Sequence, residues 1–279
     1  MNKKNLLSLY GIKWNPFAVD IPFEGIVTNT AMDDFCWRTE SLVMDGGFAM
    51  ITGSVGTGKS VALRWLSQKL SRLQDVHVAQ LNRPQSSIAD FYRELASMFG
   101  LEIRVSNRWG GFRSLREKWI THIDSTMFRP VLLVDEAQEM QATVLSELRL
   151  MSSSQFDSRA ILTVVLCGDE RLPERFRSPD LMPLGSRIKT RLLMEHRTRD
   201  EMNALIEEAI KLAGNPALMT KELMLTLADR SMGNYRAMMH MADDLLTEGV
   251  KRQLPQLDQQ LFLEKFDFNQ KKAAARRKK

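Results

Sequence analysis

The sequence predicts an α/β fold with a parallel sheet covered on both faces, followed by a small all-helical domain. Three observations predict it. Strand-length apolar runs alternate with helical periodicity from residue 48 to residue 195, and strands that alternate with helices form a parallel sheet between helical layers. A glycine-rich turn joins the first apolar run to the first helix. After residue 195 the strand pattern stops, and only capped segments of helical period follow.

The elements follow in order. Residues 48–52 are a short strand, and Leu63, Leu66, Leu70 and Leu73 behind it recur at helical spacing. Residues 76–81 read as a second strand. Ser87 with Asp90 resembles a capping box, and Ile88, Phe91, Leu95 and Met98 then mark an amphipathic helix. A loop containing Gly110 and Gly111 precedes a helix through Leu115, Trp119 and Ile123. Residues 131–134 form a buried strand set off by Pro130, residues 142–150 a helix, residues 161–167 the most hydrophobic strand, and residues 192–195 a last short one. Thr198 and Glu201 form a second capping box, whose helix stops at Gly214 and Pro216. Thr220 opens a helix that ends near Gly233, Asn234 caps the next, and Pro255 precedes a final helical piece over 259–266. The expected domains are 1–197 (α/β, with an N-terminal extension), 198–268 (helical) and 269–279 (a basic tail).

Composition excludes several classes. The chain has 279 residues, is 44% hydrophobic and 26% charged, and carries a formal charge of +5, which suits globular domains and not disorder throughout. No run approaches the roughly 18 apolar residues of a membrane helix, and the N-terminus lacks an export signal's apolar stretch, so a cytoplasmic protein without membrane contact is expected. Cys36 and Cys167 cannot build a disulfide framework and read as buried small hydrophobes. The last nine residues carry six positive charges and no acid. Removing those six leaves −1, so the body is nearly neutral and any electrostatic footprint must be local.

Gly53-Ser54-Val55-Gly56-Thr57-Gly58-Lys59-Ser60 fits G-x-x-x-x-G-K-[ST] in full, between a strand and a helix. The glycines let backbone N–H groups turn inward around phosphate oxygens, and the helix N-terminus adds its positive end. Lys59 is placed to reach the β- and γ-phosphates of ATP, and the Ser60 hydroxyl to ligate Mg²⁺. The strand at 131–134 delivers Asp135 and Glu136. Asp135 suits Mg²⁺, held through water, and Glu136 suits polarisation of the attacking water. The acid pair argues for hydrolysis over phosphoryl transfer to a small molecule.

With those residues placed, the chain resembles an AAA+ ATPase, an αβα sandwich with a helical lid. Within that superfamily it is similar to the ExeA-like group and its transposition relatives of the TniB, TnsC and MuB type. The resemblance runs from Tyr10-Gly11-Ile12 and Asn15-Pro16-Phe17, through the phosphate loop and Asp135-Glu136, to Gly168-Asp169-Glu170-Arg171-Leu172 and Gly233-Asn234-Tyr235-Arg236. It implies assembly into rings or helical filaments, in which a neighbour's arginine completes the nucleotide site. Arg187 matches that arginine finger, with Arg191 as runner-up, and Arg236 matches the lid arginine called sensor two. The chain departs from the family at Asp169, the sensor-one position, which is usually uncharged there. A carboxylate near a γ-phosphate needs a compensating cation or hydrogen bond; without one, hydrolysis is expected to be slow.

The resemblance implies an ATP-dependent DNA-binding regulator of transposition, with double-stranded DNA, a transposase, a targeting protein and further copies of itself as partners. An ExeA-like secretion ATPase is expected to continue into a membrane anchor, whereas this sequence ends in lysines and arginines. That favours DNA over secretion; helicase-loader or initiator ATPases and protein-only adaptors remain as alternatives. The candidate DNA surface is 103–118, with Arg104, Arg108, Arg113, Arg116 and Lys118 around Trp109. Basic side chains in a loop track phosphates without reading bases. The four histidines show no metal-ligand spacing, and Met232, Met238, Met239 and Met241 read as core filler.

Overall fold

The computed structural model describes residues 3–81, 83–100, 108–154 and 159–267. The helices are α1 (Lys3–Tyr10), α2 (Thr30–Asp45), α3 (Lys59–Leu70), α4 (Ile88–Met98), α5 (Arg108–Thr126), α6 (Ala142–Met151), α7 (Arg171–Arg175), α8 (Met182–Gly185), α9 (Arg199–Ala213), α10 (Lys221–Ser231), α11 (Tyr235–Arg252) and α12 (Gln259–Phe262). The main-sheet strands are β1 (Gly47–Gly53), β2 (Val76–Leu81), β3 (Arg129–Val134), β4 (Thr163–Gly168) and β5 (Ile188–Met194). They form one parallel sheet in the order β2-β3-β4-β1-β5.

The chain divides into two compact units. The α/β unit comprises Thr28–Ser54 and Lys59–Met194. Alternation along its strands sends Phe48, Met50, Leu132, Val134, Val164 and Leu166 to one face, which packs on α4, α5 and α6. Ala49, Ile51, Val131, Leu133, Val165 and Cys167 go to the other face, against α2 and α3. A strand's period of two therefore builds a three-layer αβα sandwich.

The helical unit comprises residues through Val27, Val55–Gly58 and Glu195 onward. The Thr198–Glu201 capping box is present, and Thr220, Asn234 and Asp258 each cap a helix through a side-chain oxygen. Gly214 ends α9 at φ 106°, a conformation glycine adopts without strain. The N-terminal segment clusters here, although the sequence grouped it with the α/β domain. Leu6, Tyr10, Ile12 and Phe17 share one core with α9, α10 and α11. Lys13 N–H donates to the Ala213 carbonyl at 2.8 Å, and the Asn15 amide to Asp243 at 2.6 Å.

Three local expectations are corrected. Gly110 and Gly111 lie in the first turns of α5 and not in a loop; Leu115, Trp119 and Ile123 bury one face of that helix and override the glycines' low propensity. β5 begins at Ile188 and not Leu192, because the alternating pattern of an edge strand admits Lys189 and Arg191 on its exposed side. Met238 and Met239 are core, but Met232 is 85% exposed, at the left-handed residue that ends α10. Among the described residues no helix is long and apolar enough to cross a membrane.

Candidate nucleotide site

Register brings the predicted residues of the α/β unit to one edge. Thr52 of β1 lies opposite Gly168 of β4, and Val134 of β3 opposite Leu166. The phosphate loop, Asp135 and Asp169 thus all leave the carboxyl ends of neighbouring parallel strands, where ligands of open α/β sheets bind.

The loop after β1 owes its shape to glycine. Gly53, Gly56 and Gly58 have φ of 153°, 84° and 100°, values that side-chain-bearing residues rarely adopt. A Cβ at Gly53 would also collide with the Met194 carbonyl oxygen. Lys59 and Ser60 open α3, whose first N–H groups have no acceptor within the helix itself and carry its positive end. The Lys59 ammonium donates to the carbonyls of Gly53 and Ser54 at 2.9 Å each, two of its three donors.

In the helical unit, the tip of the same loop is held by the start of α11. The Asn234 side chain donates to the Val55 carbonyl at 3.2 Å, while its oxygen caps α11 by accepting from Ala237 N–H at 3.0 Å. Arg236 N–H donates to the Gly56 carbonyl at 3.0 Å. A Cβ at Gly56 would overlap the Asn234 amide. The Arg236 side chain is exposed.

Asp135 accepts the main-chain N–H of Glu136 at 2.9 Å. Glu136 sits in the left-handed region at φ 51° and ψ 40°, a conformation that costs a non-glycine residue about 1 kcal/mol and concentrates at functional sites. The Cys167 thiol donates to Asp135; burial, reinforced by that carboxylate, pushes its pKa well above the ordinary range. Cys36 is likewise buried and pushed up to about 12, so neither thiol is a reactive thiolate.

Asp169 has the compensation that the sequence left open. Arg171 grips its carboxylate through Nε at 2.9 and 3.1 Å and Nη2 at 2.8 Å, and donates its own N–H at 2.9 Å. These bonds hold the carboxyl below its usual pKa range. Arg171 also reaches Glu139 at 2.7 Å, and Ser54 of the phosphate loop donates to Glu170. The repulsion expected from Asp169 is therefore offset by a cation two residues away.

Sequence reasoning missed Gln138. It is 7% exposed, and its amide nitrogen donates to the Glu136 carboxylate while its oxygen accepts Asp169 N–H at 3.2 Å. Its position in Asp135-Glu136-Ala137-Gln138 was the available signal. Arg171 was visible within the stretch from Gly168 to Leu172 but carried no assigned role.

The other arginines spread more widely. Arg187 is half-buried just before β5, and Arg191 lies on the exposed side of that strand, donating to the Gly185 carbonyl at 3.3 Å. Arg113 and Lys118 are exposed on α5, with Arg113 paired to Glu117 at 2.7 Å. Arg116 turns inward to the Ser153 carbonyl at 2.7 Å. Arg104, the side chains of Arg108 and Trp109, and the basic tail lie outside the described residues.

The residues present fit a magnesium nucleotide: a glycine loop at positive φ leading into a helix N-terminus, an ammonium held over that loop, and the hard oxygens of Ser60 and, through water, Asp135. Residues 43–176, just under half of the chain, match the AAA domain family. General secretion pathway protein A of Aeromonas hydrophila is 30% identical over 172 residues, which cover 61% of this chain but only 30% of that protein. Cdc6p from Pyrobaculum aerophilum superposes with a TM-score of 0.71 at 14% identity, over 87% of this chain and 67% of that one. The Aeropyrum pernix ORC1 protein, solved in complex with DNA, gives 0.66 at 14% identity, over 89% and 67%. The sheet order, the loop after β1 and these matches together identify the fold as that of the P-loop AAA+ proteins.

Proposed function

We propose that the chain is an ATP-hydrolysing, DNA-binding regulator of transposition that works in the cytoplasm as a ring or helical filament. It marks double-stranded target DNA and recruits or activates a transposase together with a targeting protein. The observation that carries the ATPase reading is the convergence of Lys59, Asp135 and Glu136 on one sheet edge, with the Glu136 carboxylate held by the Gln138 amide.

In this reading the loop N–H groups and Lys59 bind the β- and γ-phosphates, and Ser60 and Asp135 hold Mg²⁺. When bound there, the ion would neutralise charge on the phosphate oxygens. Glu136 accepts a proton from the attacking water. Arg187, with Arg191 as the alternative, serves a neighbouring subunit's γ-phosphate, and Arg236 serves as sensor two. A head-to-tail interface of this kind closes into a ring or runs on as a helix.

The DNA reading draws on the fold shared with a protein solved on DNA and on Arg113 and Lys118, exposed on one helix. A second reading, a secretion-associated ATPase, draws on the 30% identity to General secretion pathway protein A. An initiator or helicase-loader reading draws on the fold shared with Cdc6p. Gel shift on double-stranded DNA with and without a non-hydrolysable ATP analogue tests the proposal. ATP-dependent binding with co-purification of a transposase supports it. Co-purification of a helicase favours the loader, and failure to bind DNA in any nucleotide state overturns the DNA reading.

A further inference from the structure

Gln138 is buried between two loops that the sequence separates by some thirty residues, and each end of its amide has a partner of the right polarity. Nε2–H donates to the Glu136 carboxylate, and Oε1 accepts Asp169 N–H at 3.2 Å. A carboxylate can only accept and an N–H can only donate, so the amide has one productive orientation. Its main chain is fixed as well, because the Gln138 carbonyl accepts from the Arg175 guanidinium. Space for the contact exists only because residue 168 is glycine: a Cβ there would lie 2.5 Å from Gln138 Oε1. The αL backbone at Glu136 begins the short 3-10 turn that carries Gln138 back toward its own neighbour.

We infer that Gln138 is a positioning residue: it holds the Glu136 carboxylate for water activation and makes that orientation depend on the turn after β4. Resting on the proposed ATPase function, it extends that site beyond the residues touching nucleotide. Because Asp169 is bound to Arg171 on its side-chain face and to Gln138 on its main-chain face, a shift of this turn that broke the Asp169 N–H bond would release Glu136. Nucleotide binding does not need this link, since the phosphate loop and Lys59 are held by their own main-chain contacts.

Two substitutions separate the ends of the amide. Gln138→Leu removes both bonds; Gln138→Glu keeps an acceptor for Asp169 N–H but sets an oxygen against Glu136. Both are expected to lower kcat by roughly ten- to a hundredfold, the range for groups that orient a reacting ligand, with nucleotide affinity within about threefold of the parent. In the nucleotide-free protein, hydrogen exchange at the Asp169 amide is expected to accelerate in Gln138→Leu and stay slow in Gln138→Glu, with the β4 amides protected in both. Added to Glu136→Gln, Gln138→Leu is expected to cost nothing further in hydrolysis, because groups acting as a unit are not additive. Parental kcat in both variants overturns the inference, as does an additive loss in the double variant, or loosening of all of β4 with loss of nucleotide affinity. If Glu136→Gln alone hydrolyses at the parental rate, the ATPase reading fails first and takes this inference with it; if it does not, failure at Gln138 leaves that reading intact.

Discussion

In the loop after β1 side chains bind main-chain carbonyls around a glycine backbone, whereas in the turns after β3 and β4 side chains bind chiefly one another. At the first, glycines at positive φ let the chain fold over itself, and Lys59 caps the loop's own carbonyls. At the second, Gln138, Arg171, Glu139 and Glu170 tie three segments together. A binding cradle made of backbone accepts any phosphate chain presented to it. A side-chain network instead fixes the direction of one carboxylate and can be released. On the proposed function, the first region governs nucleotide affinity and the second turnover.

The largest effect should come from the backbone cradle. Lys59→Ala is expected to weaken ATP binding by about 3 kcal/mol, near a hundredfold in Kd, because a charged hydrogen-bond donor to the phosphates is lost; titration with a fluorescent ATP analogue checks it. Parental affinity in that variant would break the division of labour. Gly53→Ala should destabilise the α/β unit by about 2 kcal/mol, since the added methyl meets the Met194 carbonyl. A denaturant melt showing no shift in midpoint would mean that the strand ends adapt freely.

The side-chain region predicts smaller, turnover-directed changes. Arg171→Ala should lower kcat/KM about tenfold by exposing the Asp169 charge, and Asp169→Asn in the same chain should restore most of it. The parent should also lose a little stability in acid. The Asp169 carboxyl is held below its unfolded pKa, so its contribution is full above the unfolded value and disappears as pH falls through the folded one. The Arg171 side chain is exposed, so the change is small and screened by salt; a thermal melt across that acid window reads it.

The same contrast explains what was legible in the sequence. The phosphate loop is contiguous and its glycines have one physical use, so residues 53–60 announce themselves. The three-layer sheet follows from apolar alternation, and the caps at Ser87, Thr198, Thr220 and Asn234 follow from local side-chain chemistry. The network around Glu136 was not legible, because Gln138 meets Asp169 only once β3 and β4 are paired. Burial of the N-terminal segment with α9 to α11 escaped for the same reason: the contacts join residues some two hundred positions apart. Helical Gly110 and Gly111 show packing overriding propensity.

The smallest predicted effect concerns DNA. Replacing Arg113 and Lys118 with Ala should reduce the log–log salt slope of DNA affinity by at most about 2 units, at roughly 0.9 per phosphate contact. Because Arg113 is already paired with Glu117, a reduction nearer 1 is expected. An unchanged slope would move the DNA surface away from α5.

In the proposed mechanism Glu136 activates water while the β1 loop binds nucleotide independently of it. Parallel measurement of ATP affinity and steady-state hydrolysis in Glu136→Gln tests it most directly. The predicted result is parental affinity within about threefold, with hydrolysis reduced at least about a hundredfold, the range of general-base catalysis. Hydrolysis at the parental rate, or loss of affinity in step with hydrolysis, would contradict the claim.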